Sequence, residues 1–403
     1  MINLSLNKKV IIFGFIFTFF SSFGQSYFIG LFNSSIREDL LISHGQFGTI
    51  YASATLLSSF ILIWIGKKID DMNVFKFSIF VIFLLSFACY FFSTVKILSF
   101  LFVGIFLLRL SGQGLMSHTA TTTVSRYFEN ARGKALSITW LGLSAAEFIL
   151  PVSIIFLLTF VSWRDIWIYI SLLTLIFLPI VSFILVKKLK LEAREGIKEN
   201  KIQKKNIKQW TRSEVIKDYK FYIIALNMLG MPSIATGIFV YQSFIISSKS
   251  WGPFIFAQSF MAYSILSVIT LSISGFLIDK FTSRKLLVYM NIPLFFAVLV
   301  LILFDNPVSS FILLGLIGIS NGFANVLGSS TWAEIYGVKH IGGIKALSTS
   351  MMVFATATGA ATYGLLIDGG KTIEFIASIS GIYITISLLL LLFFRKSMEP
   401  VYL

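Results

Sequence analysis

Twelve mainly apolar stretches, each close to the ~20 residues a helix needs to cross a bilayer, constrain this chain more than any other feature. They run over 10–32, 46–66, 74–94, 97–122, 135–158, 166–186, 221–246, 254–277, 286–304, 308–331, 345–367 and 373–394. The composition agrees: 13% of the 403 residues are charged, against about 25% in a soluble protein, and mean hydropathy is +0.87. The expected fold class is therefore all-α integral membrane, with twelve transmembrane helices. The first stretch follows Lys8 and Lys9 like a signal peptide, but its apolar run continues to Phe32, longer than a signal core, so it is expected to stay as a span.

The net charge of +15 invites a nucleic-acid reading, which its distribution opposes. With the N-terminus inside, only Arg37, Lys96, Arg164, Lys249 and Lys371 fall in exterior loops, and Arg109 lies within a span. All the other basic residues are interior, so the positive-inside rule puts both termini in the cytoplasm of a plasma membrane, most simply a bacterial inner membrane. The Lys-rich segment 187–220 is the one sizeable polar stretch and reads as a solvated cytoplasmic loop between 1–186 and 221–403. Cys89 is the lone cysteine, and His44, His118 and His340 are scattered, so no metal site is expected. The chain has no GxxxxGK[ST] phosphate loop and no sign of a cofactor site. A membrane-embedded enzyme would need clustered acid, base or metal-ligand residues, which are lacking. A channel would need rings of like residues along a pore.

The two halves repeat. GKKIDDMNVFK, with Gly66 and Asp70, is matched by GFLIDKFTSRK, with Gly275, Asp279 and Arg284; Gly66 and Gly275 are 209 positions apart. The KALS runs starting at Lys134 and Lys345 are 211 apart. A duplicated six-helix unit is the signature of carriers with a central site between two bundles. GFLIDKFTSRK resembles the cytoplasmic loop motif of the major facilitator superfamily, and RLSGQG, from Arg109, resembles its fourth-helix motif. The resemblance covers the whole chain and implies two pseudo-symmetric six-helix bundles, a small-molecule substrate, alternating access and a monomer. TGIFVYQ (Thr236–Gln242), AEFILP (Ala146–Pro151) and WAEIYGVKHIGGIKAL (Trp332–Leu347) resemble the monocarboxylate and oxalate/formate branch.

Arg109 and Glu147 are charges at membrane depth, each about a dozen residues into its span, and such residues are functional candidates by default. Arg109 is expected to anchor an anionic group or act as a counter-ion, and Glu147 to carry a proton or pair with it. The resemblance implies that spans one, four, seven and ten line the cavity, which adds Gln25, His118, Asn227, Tyr241, Gln242, Asn321 and Asn325. A hydrogen-bonded structural role is the simpler reading for any single one of these. Asp70 and Asp279 are expected to be conformational latches, charges facing a helix N-terminus or a basic residue, with Arg132 and Lys345 as partners. Gly66 and Gly275 are expected to admit a neighbouring backbone. Together these features predict a proton-coupled secondary transporter, with facilitated uniport or exchange as the alternative.

Overall fold

The computed structural model describes residues 4–69, 71–128, 132–187, 207–337 and 339–401. Its elements are helical, and twelve helices are long and apolar enough to cross a membrane. These spans are 1 (Lys8–Gly30), 2 (His44–Lys67), 3 (Val74–Ser93), 4 (Leu98–Tyr127), 5 (Lys134–Leu157) and 6 (Trp163–Val186) in the first half. In the second half they are 7 (Tyr219–Val240), 8 (Pro253–Ile278), 9 (Ser283–Leu303), 10 (Ser309–Tyr336), 11 (Gly343–Asp368) and 12 (Ile373–Phe393). Span 4 outruns its apolar stretch to Tyr127, and the Thr119 and Thr121 hydroxyls near its end are satisfied by carbonyls four residues earlier. Span 7 stops at Val240 rather than 246, and a separate helix, Gln242–Ser248, follows a turn at Tyr241.

Local chemistry sets where helices begin. Ser43 and Gln46 form a reciprocal capping box at span 2, Asn73 caps span 3, and Ser162 and Thr372 cap spans 6 and 12. Pro293 divides span 9 into Ser283–Met290 and Ile292–Leu303. It has no N–H to give the preceding turn, and the Ser320 hydroxyl of span 10 bonds the Met290 carbonyl at 2.8 Å.

The chain forms two compact units, Met1–Glu195 with Phe239–Phe244, and Gly196–Ile238 with Ile245–Leu403. In the first, span 1 packs on 5, span 2 on 4 and span 3 on 6. A Cβ on Gly142 of span 5 would lie 2.0 Å from the Phe15 carbonyl oxygen, so the backbones of spans 1 and 5 touch there. Ser86 and Ser171 bond each other's hydroxyls and carbonyls at 2.8–3.0 Å, joining spans 3 and 6. In the second unit, span 8 packs on 10, 9 on 10, and 9 on 12. Residues 207–217 dock on this unit's own end: Trp210 N–H bonds the Tyr336 carbonyl at 3.0 Å, and Lys208 N–H bonds that of Val401 at 2.8 Å. The Thr211 N–H, the Thr211 hydroxyl and Lys208 hold the Glu214 carboxyl down at about 2. Exposed Phe60, Trp64, Phe87 and Phe183 in one unit, and Phe276 and Phe393 in the other, give each an apolar outer face suited to lipid.

Gly142→Leu is therefore expected to abolish well-folded protein, because the added atoms meet backbone that cannot yield. Gly328→Ala, where a Cβ meets nothing within 4 Å, should raise stability by up to ~1 kcal/mol. Thermal unfolding of purified protein measures both.

Candidate functional site

Span 1 is broken in its middle. The α-helix ends at Phe20, a 3₁₀ turn covers Ser21–Gly24, Gln25 is extended at φ −82° and ψ 153°, and helix resumes over Ser26–Gly30. A break at membrane depth leaves backbone groups without helical partners, which lipid cannot satisfy. Arg109 supplies one. Its Nη1 donates to the Gly24 carbonyl at 3.0 Å and to Ser26 Oγ at 3.4 Å. Tyr51 of span 2 donates to the same Ser26 oxygen at 2.8 Å, and its ring centre lies 5.3 Å from the guanidinium carbon. Arg109 is 3% exposed, and its Nε has no hydrogen-bond partner among the described residues.

Arg109 also opens a widened, π-helical stretch, Arg109–Met116. Such stretches recur at functional sites. This one presses on the break: a Cβ on Gly24 would lie 2.3 Å from the Leu108 carbonyl oxygen, and one on Gly112 would lie 2.6 Å from the Gly24 nitrogen. RLSGQG is thus one arrangement, in which Gly112 lets the broken strand of span 1 approach and Arg109 bonds the carbonyl the break exposes.

Glu147 of span 5 is buried, at 7% exposure, and makes no ion pair with Arg109. It lies within electrostatic reach of Tyr27, directly past the break. Gln242 donates its Nε2 to the carbonyls of Tyr27 and Phe239, both at 3.0 Å, while its Oε1 is buried without a partner among the described residues. Gln25 is half-buried at the break itself. Gln25, Arg109, Glu147 and Gln242 thus gather around residues 24–27, with Ser26 and Tyr51, which sequence reasoning missed. A tyrosine facing an arginine from another span leaves no spacing signal.

The other candidates go elsewhere. Tyr241 donates to the His44 carbonyl at 2.9 Å. His118 bonds the Gly66 carbonyl at 3.1 Å, linking span 4 to the end of span 2. Asn227 is fully buried; its carbonyl accepts from Asn291 of span 9 at 2.6 Å, and its side-chain amide has no partner among the described residues. Asn321 bonds Ser267 of span 8 at 3.0 Å, whereas Asn325, four residues on, is exposed.

At the ends of spans 2 and 8 the expected close approach of backbone to glycine is not made. A Cβ on Gly66 would meet only the His118 ring, at 3.4 Å, and one on Gly275 would meet nothing within 4 Å. Asp70 and the side chains of Arg132 and Asp279 lie outside the described residues, and Lys345 is exposed. Arg284 instead pairs with Glu334 of span 10 at 3.2 Å and with Glu399 at 3.4 Å. Glu334 also accepts from the N–H groups of Ser283 and Arg284, at 2.8 and 3.2 Å, so it sits on the positive N-terminus of span 9. Its place in WAEIYG was visible, but its partner, 50 positions away, was not. Arg126 makes a corresponding first-half contact, donating to the Ile69 carbonyl at 3.1 Å.

Arg109→Met should lower the thermal midpoint markedly, since leaving a buried carbonyl unpaired costs ~1–3 kcal/mol. Arg109→Lys, which keeps a donor and the charge, should lose less.

The Major Facilitator Superfamily model matches residues 14–360. No curated protein matches the sequence. Among solved structures, a bacterial homologue of the human lysosomal transporter Spinster, in an inward-facing and occupied conformation, aligns with TM-score 0.68 and 12% identity, covering 98% of this chain and 97% of that one. The nucleoside transporter NupG aligns with TM-score 0.69 and 14% identity over 98% of each chain. With the family matched over most of its length, this multi-pass membrane protein belongs to the major facilitator superfamily of transporters.

Proposed function

We propose that the chain is a secondary transporter that moves a small polar organic solute by alternating access, with its substrate-contacting groups at the break in span 1. The observation that carries this reading is the half-used guanidinium of Arg109. One amino group holds the Gly24 carbonyl, while Nε is buried and has no partner among the described residues. An acceptor on the solute, a carboxylate or a carbonyl, completes it, and a charge-assisted bond there gives both affinity and orientation. Gln25, Glu147 and Gln242 supply the remaining polar contacts. An organic anion fits the guanidinium, in keeping with the resemblance to monocarboxylate carriers.

Glu147 is the proposed proton carrier. It is buried without Arg109 to neutralise it, and gaining a proton removes a charge from membrane depth. The same separation supports a second reading, facilitated uniport or exchange of a zwitterion whose two charges meet Arg109 and Glu147. Gly66, Asp70, Arg132, Gly275, Asp279, Arg284 and Lys345 are proposed as conformational latches, joined now by Glu334. The division into 1–186, a cytoplasmic loop 187–220 and 221–403, a plasma-membrane setting, cytoplasmic termini and a monomeric state complete the proposal.

The test begins with a thermal-shift screen of small metabolites, followed by liposome assays with the compounds that bind. Glu147→Gln should abolish uptake driven by a pH gradient yet retain counterflow, which needs no net proton movement. Full pH-driven uptake by Glu147→Gln would remove the proton role, and the absence of trans-acceleration in the unmutated protein would remove the carrier reading.

A further inference from the structure

The repeat found at the 2–3 and 4–5 loops extends to the opposite end of each unit, in ion pairs that sequence comparison hides because their charges are exchanged. In the first unit the helix that follows span 1, Asn33–Leu40, carries Asp39 near its end. Arg164, in the first turn of span 6, donates to Asp39 at 2.7 Å, to the carbonyl of Ser93, the last residue of span 3, at 2.9 Å, and to that of Val95, in the 3–4 loop, at 2.6 Å. Trp163 adds an indole N–H to Asp39 at 3.2 Å and lies under the Arg164 guanidinium, 4.3 Å from ring centre to carbon. One cation therefore holds three points: the end of the first helix, the 3–4 loop and the start of the sixth helix.

In the second unit, residues 245–248, the distal part of the helix that follows span 7, lead to Lys249. Lys249 bonds Asp305 in the 9–10 loop at 2.7 Å and Glu374 in the first turn of span 12 at 2.8 Å. The Trp251 indole donates to the Asp305 carbonyl at 2.7 Å. Burial works against the Lys249 ammonium, whose side chain is 1% exposed, but its bonds to Asp305 and Glu374 raise it above the ordinary lysine value.

The positions correspond. Asp39 and Lys249 are 210 apart, as are Val95 and Asp305, the capping residues Ser162 and Thr372, and Arg164 and Glu374. The left-handed residues that end the two distal segments, Leu41 at φ 51° and Ser250 at φ 54°, are 209 apart. These offsets agree with those of the GxxxD and KALS matches. The same three elements are joined in each unit, but the cation sits on the sixth helix in one and at the end of the first helix in the other. Residue type follows from the place of the hub. Arg164 has a planar fork that reaches one carboxylate and two carbonyls, whereas Lys249 is a point charge between two carboxylates.

We propose that the two clusters are one duplicated device, a three-point tie of inverted polarity, which positions the distal segment of each unit's first helix on that unit's own loop and sixth helix. In the first unit the tie fixes the far end of the segment that begins at the break, so Gln25, Ser26 and Tyr27 are carried on a strut held by Arg109 at one end and Arg164 at the other. The inference goes beyond the proposed function, and it stands or falls without reference to substrate.

Hydrogen exchange on the full-length protein in lipid nanodiscs tests it. Lys249→Met should speed exchange of amides 245–250 by roughly tenfold and leave those of 219–238 unchanged, as expected when a buried charged tie is lost. Lys249→Arg should restore slow exchange. Inverting the tie, with Lys249→Glu, Asp305→Asn and Glu374→Lys together, should also keep exchange slow, while Lys249→Glu alone should not. Arg164→Met should free 26–41 in the same way. Unaltered exchange over 245–250 in Lys249→Met, or an inverted tie that exchanges as fast as Lys249→Glu alone, would overturn the proposal; the inverted variant supplies the test even if Lys249→Met does not fold.

Discussion

A backbone carbonyl that lipid cannot solvate, and the arginine that bonds it, is the interaction on which the first unit depends. Span 1 breaks at Gln25, and at membrane depth the carbonyl this exposes is met by Arg109 Nη1, which reaches the Gly24 oxygen at 3.0 Å. The need runs in the other direction too. An arginine at that depth is expensive unless partners surround it, and the Gly24 carbonyl, Ser26 and the face of Tyr51 provide them. Two costly features cancel, and what is left over is useful: an irregular polar stretch and one unpartnered edge of a fixed guanidinium. Gly24 and Gly112 make the contact sterically feasible, and the π-helical widening of span 4 carries Arg109 to it.

The two ends of each unit follow the same logic with different chemistry. At the end bearing the 2–3 and 4–5 loops, carboxylates and carbonyls meet helix termini and arginines, as Glu334 does at the start of span 9 and Ile69 does with Arg126. At the other end each unit ties its first helix, its third loop and its last helix through a single cation. Duplication supplied the geometry, and the sign of the charges was free to exchange as long as opposite charges still met. A search for matching residue types would pass over Asp39 and Lys249.

The spans were legible because hydropathy over ~20 residues is a property of sequence alone. Breaks were not. Tyr241 lies inside an apolar run, and the polar and glycine residues of SSFGQS around Gln25 permit a break without requiring one, because whether a helix is interrupted there depends on a partner from another span. Arg109 was legible as an anomaly, but its partner was a backbone carbonyl, which has no sequence signature. Glu147 was expected either to carry a proton or to pair with Arg109, and the two make no ion pair, since depth along neighbouring spans says nothing about which faces they present. The amides of spans 7 and 10 illustrate the same limit. The Asn227 amide is buried without a partner among the described residues, its backbone carbonyl accepting from Asn291, and Asn321 bonds Ser267, so membrane depth without facing did not gather them.

The most direct measurement of the central interaction is a solid-state NMR distance experiment on membrane-embedded protein labelled with guanidino-¹⁵N arginine and carbonyl-¹³C glycine. The bond from Arg109 to Gly24 predicts a glycine carbonyl strongly dephased by an arginine nitrogen, at the separation set by a 3.0 Å hydrogen bond, and its loss in Arg109→Lys. A spectrum with no such glycine carbonyl, or one unchanged by Arg109→Lys, would contradict the account.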